Sequence, residues 1–413
     1  MEFLTHQYLF DANTLIMGLF SRLTGSGSNH QKSEHVSPVS SGDKISTDAK
    51  TNQTSAQSSS SASSSSNNEV VSSGNKTKAD GDKLIECDTM ITKPPQSYYD
   101  LLPKLLKEHE ETKLTSEQEA MYEKLHSLLT DPEFKLPVKN CTKWEEEPKE
   151  EWIPLTSWEK FYLTKECLLR FLVGCKWHFD NVKKVLLETL VWRREFGLTY
   201  DEENFKNCIQ PEDLSEENET GKQILLGFDK KGHVLLYMKD GLQNTDSSLN
   251  KVKHMIYMIE QAVLWNPKGV SKVVILVDFK HYPEVPGVLK KRKMTPLSIA
   301  KQCLHICQTY YPETLGYAVF INIPWLGWTF LKLMVPFVDP NTKKRFVFDE
   351  PFTNYIDPNN LEAAYGGNLD FHYNHKKYWP DFIEKSRERR INNYNKFLEL
   401  GGCVGVSEYD IKD

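Results

Sequence analysis

The part of the chain from residue 96 to residue 205 carries apolar residues at helical spacing. Thr115 and Gln118 stand at the spacing of a capping box and predict the start of a helix. Further on, Asp180 is expected to cap another helix, which Gly197 ends. Residues 96–205 are therefore predicted to form a helical domain.

The pattern changes after residue 222, where short and continuous apolar runs alternate with helical segments. The runs QILLGF and HVLLYM flank the turn DKKG and predict a hairpin. Residues 272–279 and 317–323 are apolar almost throughout, which is typical of strands covered on both faces. Strands that alternate with helices predict an α/β domain with a mixed, largely parallel sheet over residues 206–373.

The remaining elements follow from capping and turn residues. One helix is expected from Ser247 or Ser248 to Trp265, and a second has Pro296 at its first turn. RFVF predicts a short strand, and NNLEAAYGG predicts a helix with a glycine stop. Residues 374–413 are predicted to form a charged surface helix and a tail.

The segment IPWLGWTFLKLMVPFVDP, residues 323–340, is apolar on all sides, with Lys332 as its one charge before Asp339. A helix of this kind is buried or lies in lipid. Prolines stop it well short of the about 20 apolar residues that a bilayer span needs. Two interpretations stay open on this pattern: a buried core helix, or a helix that covers something apolar and can move.

The N-terminal quarter has a different composition. Residues 38–83 are rich in serine and cannot bury enough apolar surface to offset chain entropy, so the whole region 1–95 is predicted to be disordered. Residues 1–23 are more apolar but lack a basic stretch and a cleavage site, so a signal peptide is not predicted. An interfacial amphipathic helix and a frayed terminus both remain open for them.

Charge and motifs narrow the function. With a net charge of −6 and a pI of about 6.1, a nucleic-acid partner is not predicted. The eight cysteines form no C-x-x-C pair and are expected to be reduced. Phosphate-loop, nucleophile-elbow and dinucleotide motifs are missing from the sequence, and His372 and His375 have no third ligand. Neither catalytic residues, nor a cofactor, nor a metal site is predicted.

Several motifs, in order, resemble those of the CRAL-TRIO lipid-transfer family. CLLRFLVGCKW and WRREFG are similar to its helical lead-in, and VVILVDFK, QTYYPETLGYAVFINIPW and PFVDPNTKKRFVFDE are similar to its lipid-binding domain. NIPWLGWTFLKLMVPFVDP and GGCVGVSEYDI resemble the fungal phosphatidylinositol transfer proteins of the pleiotropic-drug-resistance branch. The resemblance covers residues 100–405 and implies a helical cap, then a CRAL-TRIO domain with a mobile gate helix over an apolar cavity.

The resemblance also implies roles for single residues. The phosphatidylinositol headgroup would be bound by Glu313, Thr342 and Arg345, with Lys176 beside them. Cys175 stands where the family has an arginine. The gate helix would contribute Trp325, Trp328, Phe330, Leu331, Met334 and Phe337.

The cavity wall is where the chain departs from members that also carry phosphatidylcholine. Those members present hydroxyl groups at four positions that are aliphatic here, namely Leu225, Leu236, Val273 and Ile275. A choline phosphate buried against them would lack partners, at about 1–3 kcal/mol per unpaired group. A less polar second lipid is therefore expected, and the resemblance suggests sterol.

These observations predict a protein that is not an enzyme and that extracts, carries and exchanges phosphatidylinositol and sterol between membranes, with effects on phospholipid and sterol metabolism and on drug resistance. It is expected in the cytoplasm, peripherally bound to the endoplasmic reticulum, lipid droplets or the plasma membrane. The alternative is a lipid-bound adaptor that presents phosphatidylinositol to a kinase.

Overall fold

The structure is a computed structural model that describes residues 84–282 and 293–413. The chain divides into two units, Met1–Val71 and Ser72–Asp413, and every described residue belongs to the second. The predictions for residues 1–23 and 38–83 therefore lie outside the described residues. The prediction of disorder up to residue 95 is wrong for its last part, because residues 85–87 form a strand and Met90 is buried.

The N-terminal part of the second unit is helical, as predicted. Its core is built from Leu125, Leu168, Phe171, Leu186 and other apolar residues spaced along one face of each helix. Two strands of two residues each pair in an antiparallel manner beside these helices. The elements are β1 (Ile85–Cys87), α1 (Gln96–Glu111), α2 (Ser116–Thr130), β2 (Lys135–Leu136), β3 (Ile153–Pro154), α3 (Ser157–Tyr162), α4 (Lys165–Gly174) and α5 (Phe179–Phe196).

Polar residues determine where these helices begin and end. The capping box at α2 is confirmed, since Thr115 Oγ1 accepts from Gln118 N at 3.3 Å and Gln118 Oε1 accepts from Thr115 N at 3.0 Å. The prediction that Asp180 caps α5 is wrong, because α5 begins at Phe179. Asp180 instead lies in the first turn, where its negative charge interacts favourably with the positive end of the helix dipole. Gly197 ends α5 with a φ of 92°.

The second part of the unit contains a five-stranded sheet in the order β4-β5-β6-β7-β8. Neighbouring strands are parallel except β4 and β5, which form the predicted hairpin, so the mixed and largely parallel sheet is confirmed. The elements are β4 (Gln223–Phe228), β5 (Val234–Lys239), α6 (Leu249–Trp265), β6 (Val273–Asp278), α7 (Leu297–Tyr310), β7 (Leu315–Ile321), α8 (Trp325–Met334), α9 (Pro340–Lys343), β8 (Phe346–Phe348), β9 (Leu369–Phe371), α10 (His375–Glu399) and α11 (Glu408–Ile411). β1 pairs with β9 outside this sheet.

The predicted helix at NNLEAAYGG does not form. The segment contains only two 3-10 turns, Pro358–Asn360 and Ala363–Tyr365. Leu361 between them has extended backbone angles, and its carbonyl accepts from Leu369 N at 3.0 Å. This bond to β9 replaces the helical one, and it brings the Leu361 side chain into the core.

The C-terminal segment, predicted to lie on the surface, enters the core instead. In α10, the buried Tyr378 hydroxyl donates to Leu225 O at 2.8 Å and accepts from Leu225 N at 2.9 Å. In α11, the buried carboxylate of Glu408 binds Arg170 Nη1 at 2.9 Å and Lys412 Nζ at 2.8 Å. Arg170, Glu408 and Lys412, called the C-terminal ion cluster below, attach the end of the chain to α4.

None of the described helices combines the length and the apolar character that a membrane crossing requires.

Candidate functional site

A cavity of about 680 Å³ lies along one face of the five-stranded sheet. Its floor is formed by Ile275, Val277, Ala318 and Phe320, which alternate along β6 and β7 and so point to the same side. The opposite wall is α7, which turns Ile299, Cys303 and Cys307 inward. The size and the apolar lining suit an aliphatic ligand better than a polar metabolite.

Charged residues gather at one edge of the sheet. Lys272, Glu313 and Arg345 come just before β6, β7 and β8, and the starts of parallel strands meet at one edge. Arg345 Nη2 donates to Glu313 Oε2 at 2.5 Å, and Lys272 Nζ donates to the same oxygen at 3.2 Å. Arg345 Nη1 also donates to the carbonyl of Leu315. The result is a cation-rich mouth in which one carboxylate, Glu313, accepts from both cations.

The carboxylate of Glu313 is kept ionised by this arrangement. Burial alone would raise the pKa of Glu313, but the hydrogen bonds and charges of Arg345 and Lys272 outweigh it and lower the pKa. Its backbone φ of 56° is uncommon for a residue with a side chain and is found preferentially at functional sites. Glu313 can therefore accept hydrogen bonds from ligand hydroxyl groups while the two cations face an anion.

The N-terminal helices reach the same mouth through a close backbone approach. A Cβ atom on Gly174 would lie 2.8 Å from Pro312 Cβ, so only glycine lets the end of α4 come this near. The chain then turns at Lys176, with a φ of 53°, and Lys176 lines the cavity. The fourth predicted ligand, Thr342 in α9, lines it as well. The structure thus brings Glu313, Thr342, Arg345 and Lys176 together at one cavity, whereas their role in headgroup binding stays a prediction.

The apolar segment after β7 forms α8, which lies across the cavity. Phe330 and Leu331 line the cavity, and Met334 is buried. Trp325 is 81% exposed and faces away, and Trp328 packs against Phe348 with ring centroids 5.4 Å apart. The helix is therefore not a fully buried core helix. One of its faces lines the cavity, and another is open to solvent.

The predicted end of the gate differs slightly from the observed one. α8 ends at Met334, and Phe337 lies in a 3-10 turn that follows. Phe337 is 48% exposed, and Lys301 Nζ lies 4.0 Å from its ring centroid. Gln308 fixes this turn from α7, since its Nε2 donates to Phe337 O at 2.9 Å and its Oε1 accepts from Asp339 N at 2.7 Å.

Only half of the predicted aliphatic wall lines the cavity. Val273 and Ile275 do so, but Leu225 and Leu236 do not. Leu225, Leu236 and Ile275 are register partners on one face of the sheet, and α6 packs over the part formed by β4 and β5. Leu225 and Leu236 are completely buried in the core there.

The sequence reading missed two residues of the site. Lys272 could have been found, because it precedes β6 as Glu313 precedes β7, and the starts of adjacent parallel strands lie together. Gln308 gave no such signal, since a glutamine on a helix is ordinarily solvated. Within residues 84–282 and 293–413, no cluster of three or more His, Cys, Asp or Glu side chains is arranged to bind a metal ion.

Comparison with known proteins identifies the domains. The CRAL/TRIO domain matches residues 218–367, and the CRAL/TRIO N-terminal domain matches residues 100–188. The phosphatidylinositol transfer protein PDR17 of Saccharomyces cerevisiae is 45% identical over 331 residues, which cover 80% of this chain and 91% of that protein. A CRAL-TRIO domain-containing protein of Schizosaccharomyces pombe is 38% identical over 303 residues, 72% of this chain and 27% of its own length.

Among solved structures, the crystal structure of Sfh5 matches 51% of this chain and 73% of its own chain at 21% identity, with a TM-score of 0.37, which is too low to argue from. The two domain matches and the extent of the similarity to PDR17 confirm the resemblance seen in the motifs. The chain belongs to the CRAL-TRIO family.

Proposed function

We propose that this protein transfers phosphatidylinositol between membranes and carries a less polar lipid, sterol, as its second ligand. The observation that carries the proposal is the meeting of Glu313, Thr342, Arg345 and Lys176 at the mouth of an apolar cavity. A guanidinium and an ammonium suit the phosphate, and a carboxylate suits the inositol hydroxyls. The name of PDR17, a phosphatidylinositol transfer protein, supports the same ligand.

Enclosure by α8 makes transfer energetically reasonable. Each buried methylene is worth about 0.8 kcal/mol, so a lipid with about 30 methylenes would cost roughly 24 kcal/mol if its chains were left in water. A cavity closed by Phe330 and Leu331 offsets most of this cost, and exchange with a bilayer then has a free energy near zero. Loading and release need a movement of α8, and no covalent bond is made or broken.

The outer face of α8 supplies a membrane contact in this proposal. Large apolar side chains are rarely so exposed in one short segment, and such patches mark interaction surfaces. Aromatic residues also favour the boundary between water and lipid. The exposed residues are Trp325, Leu326 and Leu333 in α8, with Val335 and Phe337 in the 3-10 turn that follows it.

The second ligand follows from the part of the wall that lines the cavity. Val273 and Ile275 present only methyl groups there, so a buried choline phosphate would remain unpaired. A sterol has one hydroxyl to satisfy and a rigid apolar body that gains dispersion contacts with such a wall. Phosphatidylcholine is expected to be a poor ligand.

The test is transfer between donor and acceptor vesicles by the purified full-length chain. Labelled phosphatidylinositol should move well above the spontaneous rate, labelled cholesterol should also move, and labelled phosphatidylcholine should not. Mass spectrometry of the lipids that copurify would identify the resident ligand. Bound phosphatidylinositol without any transfer would instead favour the lipid-bound adaptor.

A further inference from the structure

The end of the cavity opposite the mouth contains a second group of polar residues. The hairpin strand β5 runs parallel to β6, so its last residues lie at the far edge of the sheet, and β4 begins beside them. Six residues of strand at about 3.3 Å each separate the two edges by roughly 20 Å. The polar far-end residues that line the cavity are Lys222, Gln223, Lys239, Asp240, Gln243 and Lys251.

Two lysines of this group are deeply buried and share one hydroxyl. Lys222 and Lys251 are only 4% and 6% exposed, and each Nζ lies 2.9 Å from Thr245 Oγ1. Lys222 Nζ also binds Glu217 Oε2 at 2.6 Å, whereas Lys251 Nζ binds only the carbonyl of Thr245 in addition, at 2.9 Å. Of its three donors, each ammonium therefore uses two on described residues.

In the part of the chain that the structure describes, Lys251 has no carboxylate at ion-pair distance. Among residues 84–282 and 293–413, no Asp or Glu oxygen lies within the 4.0 Å of an ion pair to its Nζ, although a buried ammonium is normally paired. Lys251 is also in the first turn of α6, where the helix dipole disfavours a cation. The charged groups that act on it are Lys222, Glu217, Asp240, Asp246 and Lys293.

Most of those charges are already matched. Glu217 pairs with Lys222, Asp246 pairs with Lys293, and Glu362 pairs with the neighbouring Lys239 at 2.7 Å. In the described part of the chain, Lys251 is the one lysine of this group without a carboxylate within 4.0 Å, and its third donor has no described acceptor. Because Asp240 already acts on Lys251 from further away, a carboxylate with a single negative charge suits this donor better than a phosphate monoester.

An apolar track leads away from this cation. Met255 and Ile259 follow Lys251 at intervals of four on α6, so the three side chains lie in one row, and all three line the cavity. A cation followed by apolar side chains along a cavity matches a molecule with one charged end and one long chain.

We propose that the far end of the cavity is a second ligand site, which binds the carboxylate of a long-chain fatty acid through Lys251 and Lys222, with the chain along Met255 and Ile259. This inference rests on the proposed function only in that the cavity accepts lipid. Burial lowers the pKa of Lys251 and lowers the pKa of Lys222 to about 8, and the negative charge of a bound carboxylate would counteract both shifts.

The experiment uses the full chain, delipidated, with oleate as the probe. Oleate should bind at least about tenfold more tightly than oleyl alcohol, the ratio expected for one charge-assisted hydrogen bond. Because removal of Lys251 leaves no described carboxylate without its ion-pair partner, Lys251→Met should fold, and it should bind oleate about tenfold more weakly. Lys251→Arg should retain oleate binding. Lys253→Met, on the same helix but outside the cavity lining, is the matched control and should bind oleate as the unchanged protein does.

The pH profile gives an independent readout. Oleate affinity should fall as the pH rises above about 8, because the lysines lose their charge, whereas oleyl alcohol affinity should stay level. Equal affinity for oleate and its alcohol, or an unchanged Lys251→Met, would overturn the proposal, and tighter binding of dioleoyl phosphatidate than of oleate would overturn the carboxylate class. Absence of phosphatidylinositol transfer by the unmodified protein, with oleate binding intact, would refute the proposed function alone.

Discussion

Replacing both Glu313 and Arg345 with alanine tests the mouth of the cavity. The two side chains bind each other at 2.5 Å, so removal of one alone would leave the other without its main partner. Removing both avoids that complication. Phosphatidylinositol transfer should be lost, while the fold remains.

The cost to stability can be worked out from the contacts. Each side chain of the pair is 24% exposed, and solvent screening limits an accessible ion pair to about 0–1 kcal/mol. The hydrogen bond from Arg345 to the Leu315 carbonyl adds about 0.5–1.5 kcal/mol. The sum, below about 3 kcal/mol, is less than the stability of an ordinary domain.

The cost to phosphatidylinositol binding is larger. A hydrogen bond to a charged group contributes about 1.5–3 kcal/mol, and at least two such bonds to the headgroup are lost. At 1.4 kcal/mol per factor of ten, binding should weaken by roughly two to four orders of magnitude. The variant keeps three polar residues at the mouth, Lys272, Thr342 and Lys176, and these would retain only a part of the phosphatidylinositol binding energy.

Transfer of labelled phosphatidylinositol between vesicles, together with thermal unfolding, separates the two costs. The matched control is Asp381→Ala with Lys385→Ala, a partly exposed ion pair at 2.8 Å in α10 that does not line the cavity. The control should transfer normally. If the Glu313 and Arg345 variant is folded and transfers phosphatidylinositol at the unmodified rate, the headgroup assignment is wrong.

Three further predictions concern other parts of the molecule. Deletion of residues 1–83, a segment without a core-forming pattern, should leave vesicle transfer intact; a folded but inactive truncation would reveal a membrane-docking element there. Burial alone would raise the pKa of Glu408, but the two cations of the C-terminal ion cluster hold it far below the usual value. The cluster therefore stabilises the fold fully above the unfolded pKa of about 4.3, and this contribution decreases as the pH falls. Glu408→Gln should therefore cost about 3–5 kcal/mol at pH 7 and flatten the acid side of the stability profile in chemical denaturation. Val273→Ser with Ile275→Thr should shift competitive loading from cholesterol towards phosphatidylcholine, and an unchanged preference would show that this wall does not select the ligand.

The strand pattern and the capping residues allowed the sheet and most helices to be predicted, because they depend on local periodicity. The extent of the cavity could not be predicted in this way. Leu236 and Ile275 are register partners on one face, yet one lies in the core and the other on the cavity. The difference arises from where α6 packs over the sheet, which alternation within a strand does not encode.

The residues predicted to bind the headgroup and the far-end lysines differ in what the sequence could show. Glu313 and Arg345 lie in motifs that resemble a family, so their meeting was expected, and the structure adds Lys272. Lys251 lies in a helix pattern where a solvated charge is the ordinary interpretation. Its surroundings, Thr245 and the cavity, are brought to it by tertiary packing.

The positions of both polar groups follow from one property of the sheet. Strands β5 and β6 are apolar for five residues each and β7 for seven, which makes an apolar floor of roughly 20 Å, and charged residues appear only where the strands begin or end. Parallel pairing collects all the strand starts, and hence Lys272, Glu313 and Arg345, at one edge. Because β4 is antiparallel to β5, it begins at the opposite edge, where β5 ends. Lys222, just before β4, therefore lies at that edge. A sheet of this topology therefore builds a cavity that is apolar in its middle and charged at both ends, and each end can bind the polar group of a lipid whose chain lies on the apolar floor.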